Sequence, residues 1–230
     1  MTLRRRVPTG AVILAGGRSS RLGGVPKAAL MLDGGTLLAR TVAVAAAALG
    51  GSAVIGSPRE LPIVVVGPPE LLRPLLADSE AVRLVREDPP FSGPAAGLAA
   101  GLDALAGPPG AEEDADSLIL VLACDMPGVG AAVEALLAGA ADREAPDGWL
   151  AVDAGRKQPL AALYRAGPLR RAVQDARASG TVKNGSVFRL VASLELTRLK
   201  VPTGCTADVD TWADAQVLGV HRQGSREDLS

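Results

Sequence analysis

The feature that most constrains this chain is an abrupt break. Ala11-Val12-Ile13-Leu14 is short, apolar and rich in β-branched side chains, and Gly16-Gly17 ends it after a single alanine. The run reads as a buried strand and the glycines as the turn that leaves it. Positive charge follows in Arg18, Arg21 and Lys27. Glycine has no Cβ, so successive backbone N–H groups can close on anionic oxygens. Arginine adds a planar fork of donors and lysine a point charge. The loop therefore points to the triphosphate of a nucleotide. Two well-known phosphate patterns are absent. Val25 and Pro26 separate Gly24 from Lys27, so there is no G-x-x-x-x-G-K-[S/T], and no G-x-G-x-x-G occurs.

Downstream, strands alternate with helices. Thr36 is a candidate N-cap for a helix to Leu49. Pro62–Gly67 and Val82–Arg86 read as strands, with a short helix over Pro69–Ala77 weakened by Pro74. The segment Ser52–Leu61 fits no element. A Pro- and Gly-rich loop opens a helix to Ala106, and the acidic stretch Gly107–Asp116 reads as an exposed loop. Ser117–Ala123 is apolar on both faces, as a central parallel strand requires, and it runs into Cys124-Asp125. A helix over Val129–Ala140 is expected next. Then come strands at Trp149–Asp153 and Pro159–Arg165, joined by a turn carrying Arg156 and Lys157. Helices over Pro168–Ala178 and Ser186–Leu194, a strand at Leu196–Val201 and a last helix after Asp208-Val209-Asp210-Thr211 complete the pattern.

This alternation predicts an α/β fold: a doubly wound, mainly parallel sheet in three layers, with the first strand near its centre. One domain over residues 1–230 is expected, with flexible tails at 1–9 and 222–230. A chain of 230 residues that is 48% hydrophobic can bury a sizeable core. Its net charge of −1 and 2% aromatic content leave neither a basic surface nor stacking platforms for nucleic acid. Cys124 and Cys205 form no disulfide framework and no zinc spacing. His221, the only histidine, lies near the C-terminal end and no G-x-S-x-G elbow occurs, which speaks against a serine–histidine triad and a histidine metal site. Arg4-Arg5-Arg6 precedes an apolar run interrupted by Pro8 and Gly10, unlike a signal peptide. No stretch reaches transmembrane length. A cytoplasmic protein without membrane contact is the expectation.

In an open α/β sheet, ligands gather outside the carboxyl ends of the strands. The glycine loop follows the first strand, Asp88 follows another, Asp125 ends the central one, and Asp208 and Asp210 precede the last helix. Phosphates and carboxylates repel unless a cation lies between them, and Mg²⁺ is the expected bridge. Taken singly, an aspartate in such a place is more often a turn or cap residue than a metal ligand, and Thr211 could equally cap the last helix.

The whole string L-A-G-G-x-S-x-R-x-G-x-x-K, residues 14–27, resembles the signature loop of nucleotidyltransferases that share a nucleotide-diphosphosugar-transferase fold. Its Gly-Gly form resembles the molybdenum cofactor guanylyltransferases. The segment from Glu87-Asp88 to Gly93-Pro94-Ala95-Ala96-Gly97 resembles that family's Asp before G-P-L-A-G. Cys124-Asp125-Met126-Pro127 resembles its C-D-x-P, and Gln158-Pro159 to Leu163 its H-P-x-x-A-L with Gln158 in place of histidine. Asp208-Val209-Asp210-Thr211 falls where the family often reads N-x-N-T, and this D-x-D-T form also suits the cytidylyltransferase relatives.

The resemblance implies transfer of GMP from GTP to the phosphate of a molybdopterin-type acceptor, with Mg²⁺ and release of pyrophosphate. It implies nucleotide contacts at Leu14, Ala15, Gly16, Gly17, Arg21, Lys27, Asp88 and Asp125. Lys27, Arg21 and Asp125 would be catalytic, and Asp125 and Asp210 metal ligands. Cytidylyl transfer, or transfer to another phosphorylated metabolite, keeps the chemistry and changes the substrate. A non-catalytic nucleotide-binding regulator is the rival of another class, and the presence of Lys27 and Asp125 speaks against it.

Overall fold

The computed structural model describes residues 7–17, 19–50, 62–76, 82–106 and 115–224. In chain order its elements are β1 (Gly10–Leu14), the two-strand hairpin β2 (Met31–Leu32) and β3 (Gly35–Thr36), α1 (Leu37–Ala48), β4 (Ile63–Val66), α2 (Pro69–Leu72), β5 (Val82–Val85) and α3 (Pro94–Leu105). They continue with β6 (Leu118–Ala123), α4 (Val129–Asp142), β7 (Gly148–Asp153), β8 (Arg156–Arg165), α5 (Ala166–Ala178), α6 (Val187–Leu190), β9 (Leu196–Lys200) and α7 (Trp212–Val217).

Seven strands form one sheet in the order β5-β4-β1-β6-β8-β7-β9. β1 pairs in parallel with β4 and β6, while β8 runs antiparallel to both its neighbours. The sheet is thus mainly parallel with β1 near its centre, as the alternation predicts. β4 and β6 are buried along their whole length, because helices cover both faces. On one face Ile13, Ile63, Val65, Leu120 and Leu122 pack with Leu38 and Val42 of α1 and Leu136 of α4. On the other, Val12, Val64, Ile119 and Val121 pack with Leu98 and Leu102 of α3 and Leu169 and Val173 of α5. A third, smaller cluster joins Leu22, Leu30, Leu37, Val209, Ala215 and Val220. It ties the segment after the glycine loop to the C-terminal part of the chain.

Several boundaries differ from the sequence expectation. Pro74 has no N–H to continue a helix, so α2 stops at Leu72 and Arg73–Leu76 closes as a 3-10 turn. The helix expected over Ser186–Leu194 is only the single turn α6, N-capped by Ser186, whose hydroxyl accepts from Arg189 N–H at 3.2 Å. Arg156 and Lys157 do not sit in a turn. Ala154 and Gly155 take the positive φ values of +47° and +81° that a two-residue hairpin needs, so Arg156 already pairs with Asp153 as the first residue of β8. Thr211, and neither Asp208 nor Asp210, caps α7. Its hydroxyl accepts from Asp214 N–H while the Asp214 carboxylate accepts from Thr211 N–H, a capping box. The unassigned segment 52–61, most of the expected acidic loop (107–114), Arg18, Ala77, and residues 1–6 and 225–230 of the expected tails lie outside the described residues. Among the described residues, no helix is long and apolar enough to cross a membrane.

Candidate active site

The carboxyl ends of β1 and β6 lie side by side, so what leaves them must meet. From β1 the chain passes through Ala15, whose N–H donates to Val66 O at 2.8 Å, into exposed Gly16 and Gly17. Gly17 has φ +133°, which no residue with a Cβ adopts readily. Leu22 then anchors the loop in the third apolar cluster at 1% exposure, and a turn at Lys27–Ala29 aims Lys27 back at the sheet. From β6 the chain gives Cys124 and Asp125.

Lys27 Nζ donates to Asp125 Oδ2 at 2.8 Å and to Asp210 Oδ1 at 2.5 Å. Arg21 Nη1 reaches Asp210 Oδ2 at 3.5 Å, with both side chains well exposed. Asp208 completes the group: one oxygen from each of Asp125, Asp208 and Asp210 lies within 4.8 Å of the others. Backbone bonds make the convergence rigid. Val209, wholly buried between the two aspartates, donates its N–H to Asp125 O at 2.9 Å. Behind it, the buried Asp153 carboxylate at the end of β7 accepts from Gly204 N–H, Thr206 N–H and the Thr206 hydroxyl at 2.9, 2.9 and 2.8 Å.

The electrostatics follow from this crowding. Burial raises the Asp125 carboxyl above its ordinary range, Lys27 pulls it back in part, and the charge of Asp208 adds to the rise. Burial works to lower Lys27, but the charge and hydrogen bond of Asp125, with those of Asp210, outweigh it and hold Lys27 above its ordinary value. Burial also pushes the Cys124 thiol far up, so it is inert as a nucleophile. Three carboxylate oxygens facing one point are hard donors of the kind Mg²⁺ takes. The cluster therefore fits such an ion in donor type and charge, with the Lys27 ammonium supplying the countercharge here.

The cluster opens into a cleft of about 580 Å³. Leu14, Gly16, Gly17, Lys27, Asp125 and Asp208 line it. A smaller hollow of about 270 Å³ beside it shares Gly16, Gly17, Lys27 and Phe91 and adds Ala15, Pro68 and Arg86. Of the residues singled out in the sequence, the structure thus brings Leu14, Ala15, Gly16, Gly17, Lys27 and Asp125 to one site. Arg21 and Asp210 join them through ion pairs. Asp88 stands apart: it is exposed and lines the hollow between α3 and α5, whereas its neighbour Glu87 lines the cleft. Sequence reasoning missed Phe91, Arg156, Ser186, Phe188 and Thr206, all on the cleft wall. Only scarcity marked the phenylalanines, of which the chain has two.

The family model described as a MobA-like NTP transferase domain matches residues 11–194. Asp208 and Asp210 lie beyond that span. No curated protein matches the chain in sequence. Solved structures share the fold. The crystal structure of an Rv0371c homologue from Mycobacterium sp. strain JC1 is 24% identical, with a TM-score of 0.59 over 94% of this chain and 96% of that one. Molybdopterin-guanine dinucleotide biosynthesis protein A from Archaeoglobus fulgidus is 18% identical, with a TM-score of 0.59 over 91% and 96%. CTP:phosphocholine cytidylyltransferase from Streptococcus pneumoniae is 15% identical, with a TM-score of 0.58 over 92% and 98%.

Proposed function

The chain belongs to the MobA-like NTP transferase domain family, and from that premise we propose that it moves GMP from GTP onto the phosphate of molybdenum-bearing molybdopterin, releasing pyrophosphate. What supports the reading is the ammonium of Lys27 held between Asp125 and Asp210 at the mouth of a glycine loop. Triphosphate and countercharge would meet there. We take residues 1–230 to work as one nucleotidyltransferase unit, since the third apolar cluster links the loop to Val209 and α7.

The Gly16 and Gly17 amides would bind the β- and γ-phosphates, with Arg21 released from its weak pair with Asp210 to join them. Asp125 and Asp210, with Asp208 beside them, would hold Mg²⁺, which when bound screens the phosphate charge and favours in-line geometry. An oxygen of the acceptor phosphate attacks the α-phosphorus. The bond from that phosphorus to the bridging oxygen breaks, and the electron pair leaves with pyrophosphate. The attacking phosphate is already an anion at neutral pH, so no general base is required. Lys27 would turn from its carboxylates to the charge developing on the α-phosphoryl and leaving oxygens.

Guanine is the preferred base on this reading. Gly17 leaves room beside the base, and its backbone can approach a base edge. Polar groups matched to guanine and left unpaired by the wrong base cost roughly 1–3 kcal/mol each. The D-x-D-T string at Asp208–Thr211 favours the second reading, cytidylyl transfer. The test is direct. Purified protein, Mg²⁺ and molybdopterin are mixed with GTP and CTP at equal concentration, and the products are identified by mass. The guanine dinucleotide should predominate. A predominance of the cytosine product would remove the guanylyl assignment, and no dinucleotide with any triphosphate would remove the acceptor.

A further inference from the structure

Aromatic side chains are scarce here: two Phe, two Trp and one Tyr. Trp149 and Tyr164 are fully buried in the sheet, and Trp212, on α7, does not line the cleft. Both phenylalanines do line it, Phe91 at 45% exposure and Phe188 at 54%. A single exposed apolar side chain needs no explanation. Both phenylalanines of a chain, half exposed on one cleft, call for one.

Phe91 is held there against its backbone preference. Its φ is +63°, in the left-handed region that side chains with a Cβ avoid. Two contacts hold it, and a third fixes one of its partners. Its N–H donates to Glu87 Oε1 at 2.9 Å. The Arg86 guanidinium lies over the ring, 5.2 Å from its centre. Arg86 in turn pairs with Glu70 at 3.2 Å. The next residues are laced to the segment that leads into α6 and Phe188: Asn184 N–H donates to Ser92 O at 2.6 Å and Ala95 N–H to Gly185 O at 3.2 Å. This approach needs glycine on both sides. A Cβ on Gly93 would lie 3.2 Å from Asn184 Cα, and one on Gly185 would lie 3.2 Å from Ala95 Cβ as well as 2.4 Å from Thr181 O of its own turn. The Phe91 loop and the segment that leads into α6 are therefore one braced unit. Strain kept at an exposed position by surrounding contacts is a mark of function.

Topology divides the cleft. The glycine loop and Asp125 leave β1 and β6, so the reacting phosphorus belongs between them. To one side lie β4 and β5, whose ends carry Pro68 and Arg86; Phe91 lines the small hollow there together with Ala15, Gly16 and Gly17. To the other lie β8, which brings Arg156 and Gln158, and β7, whose Asp153 holds Thr206, and Phe188 lines the main cleft with them. Two substrates that react at the centre must occupy opposite sides. The one whose phosphates the glycine loop holds has the β4–β5 side for its base.

We propose that Phe91 is the nucleobase platform of this site: the base of the triphosphate stacks on its ring, while Phe188 stands on the acceptor side. The proposal rests on the nucleotidyl-transfer reading. Stacking is tolerant of base identity because every base has a π-face, so Phe91 sets affinity and the base edge sets choice.

The test is calorimetric binding of α,β-methylene GTP, α,β-methylene CTP and ribose 5-triphosphate in Mg²⁺, with no acceptor present. Phe91→Leu should weaken both nucleotides on the order of tenfold and leave ribose 5-triphosphate, which has no base, unchanged. Phe91→Trp should restore nucleotide affinity, and Phe188→Leu should not alter it. Unchanged nucleotide affinity in Phe91→Leu overturns the proposal. So does an equal loss for ribose 5-triphosphate, which would make Phe91 a brace for the loop. If the wild-type protein binds no triphosphate at all, the transfer reading itself falls and takes the platform with it. Wild-type binding with an indifferent Phe91→Leu removes only the platform.

Discussion

Replacing Lys27 by methionine keeps the apolar stem and deletes the ammonium from between Asp125 and Asp210. The side chains of Lys27 and Asp125 are about one-fifth exposed, and that of Asp210 nearly half. An exposed ion pair contributes about 0–1 kcal/mol, and breaking a fully buried one costs about 3–5 kcal/mol. This site lies between those limits, so Lys27→Met should cost about 2 kcal/mol. For a chain of this size that corresponds to about 4–8 °C in melting temperature. The loss has a particular origin. It comes less from a missing bond than from three carboxylates left facing one another within 4.8 Å. Two consequences follow that a plain loss of packing would not give. Adding Asp125→Asn to Lys27→Met should recover most of the stability. Mg²⁺ should raise the melting temperature of Lys27→Met more than that of the wild type, because no ammonium competes for the oxygens. Calorimetry with and without Mg²⁺ measures both. Turnover, followed by pyrophosphate release, should fall about a hundredfold or more in Lys27→Met and should not recover in the double variant. A Lys27→Met protein as stable as wild type, or a double variant less stable than the single one, would refute the electrostatic account. Unchanged turnover would remove Lys27 from the chemistry.

Three further outcomes follow from named contacts. Burial works to raise the Asp153 carboxyl, but the N–H groups of Thr206 and Gly204, the Thr206 hydroxyl and nearby Arg156 outweigh it and hold it below its ordinary value. Its stabilisation is therefore complete above about pH 4 and is lost as pH falls through the lowered folded value. Asp153→Asn should cost about 1–3 kcal/mol at pH 7, with the gap to wild type narrowing in urea melts below pH 4. Thr211→Ala removes half of the capping box on α7 and should cost about 1 kcal/mol, read from the urea midpoint at unchanged slope. Gly185→Ala sets a Cβ against Thr181 O and should loosen the braced loops, raising amide exchange at Asn184 and Ala95, whose N–H groups form the bridging bonds; unchanged protection there would show that the loops do not depend on this approach.

Much of the fold is written in short stretches. The apolar runs that became β1, β4 and β6 are each long enough to form a strand and apolar on both faces, and such a run is stable only inside a covered parallel sheet. Thr36 caps α1 as its position implies, its hydroxyl accepting from Ala39 N–H at 3.1 Å. Gly16-Gly17 ends β1 because glycine readily leaves the extended conformation, as Gly17 does at φ +133°. These are local rules, and the residues that obey them are neighbours. The site is another matter. Lys27 meets Asp125 across 98 residues and Asp210 across 183, and no local propensity records that. The order β5-β4-β1-β6-β8-β7-β9 records part of it, because it lays the end of β6 beside the end of β1, and the bond from Val209 N–H to Asp125 O returns Asp208 and Asp210 to the same place. Residue type alone left Asp210 and Thr211 equivalent as caps. In the structure Thr211 takes the cap while Asp210 pairs with Lys27, a charge that lies 183 residues away in the chain. Phe91 and Phe188 share the cleft because the Phe91 loop is hydrogen-bonded to the segment before α6, far away in the chain. The sequence determined which segments become strands and where the glycine loop breaks the first of them; the packing of the sheet alone decided which charges meet, since Coulomb attraction acts through space and not along the chain.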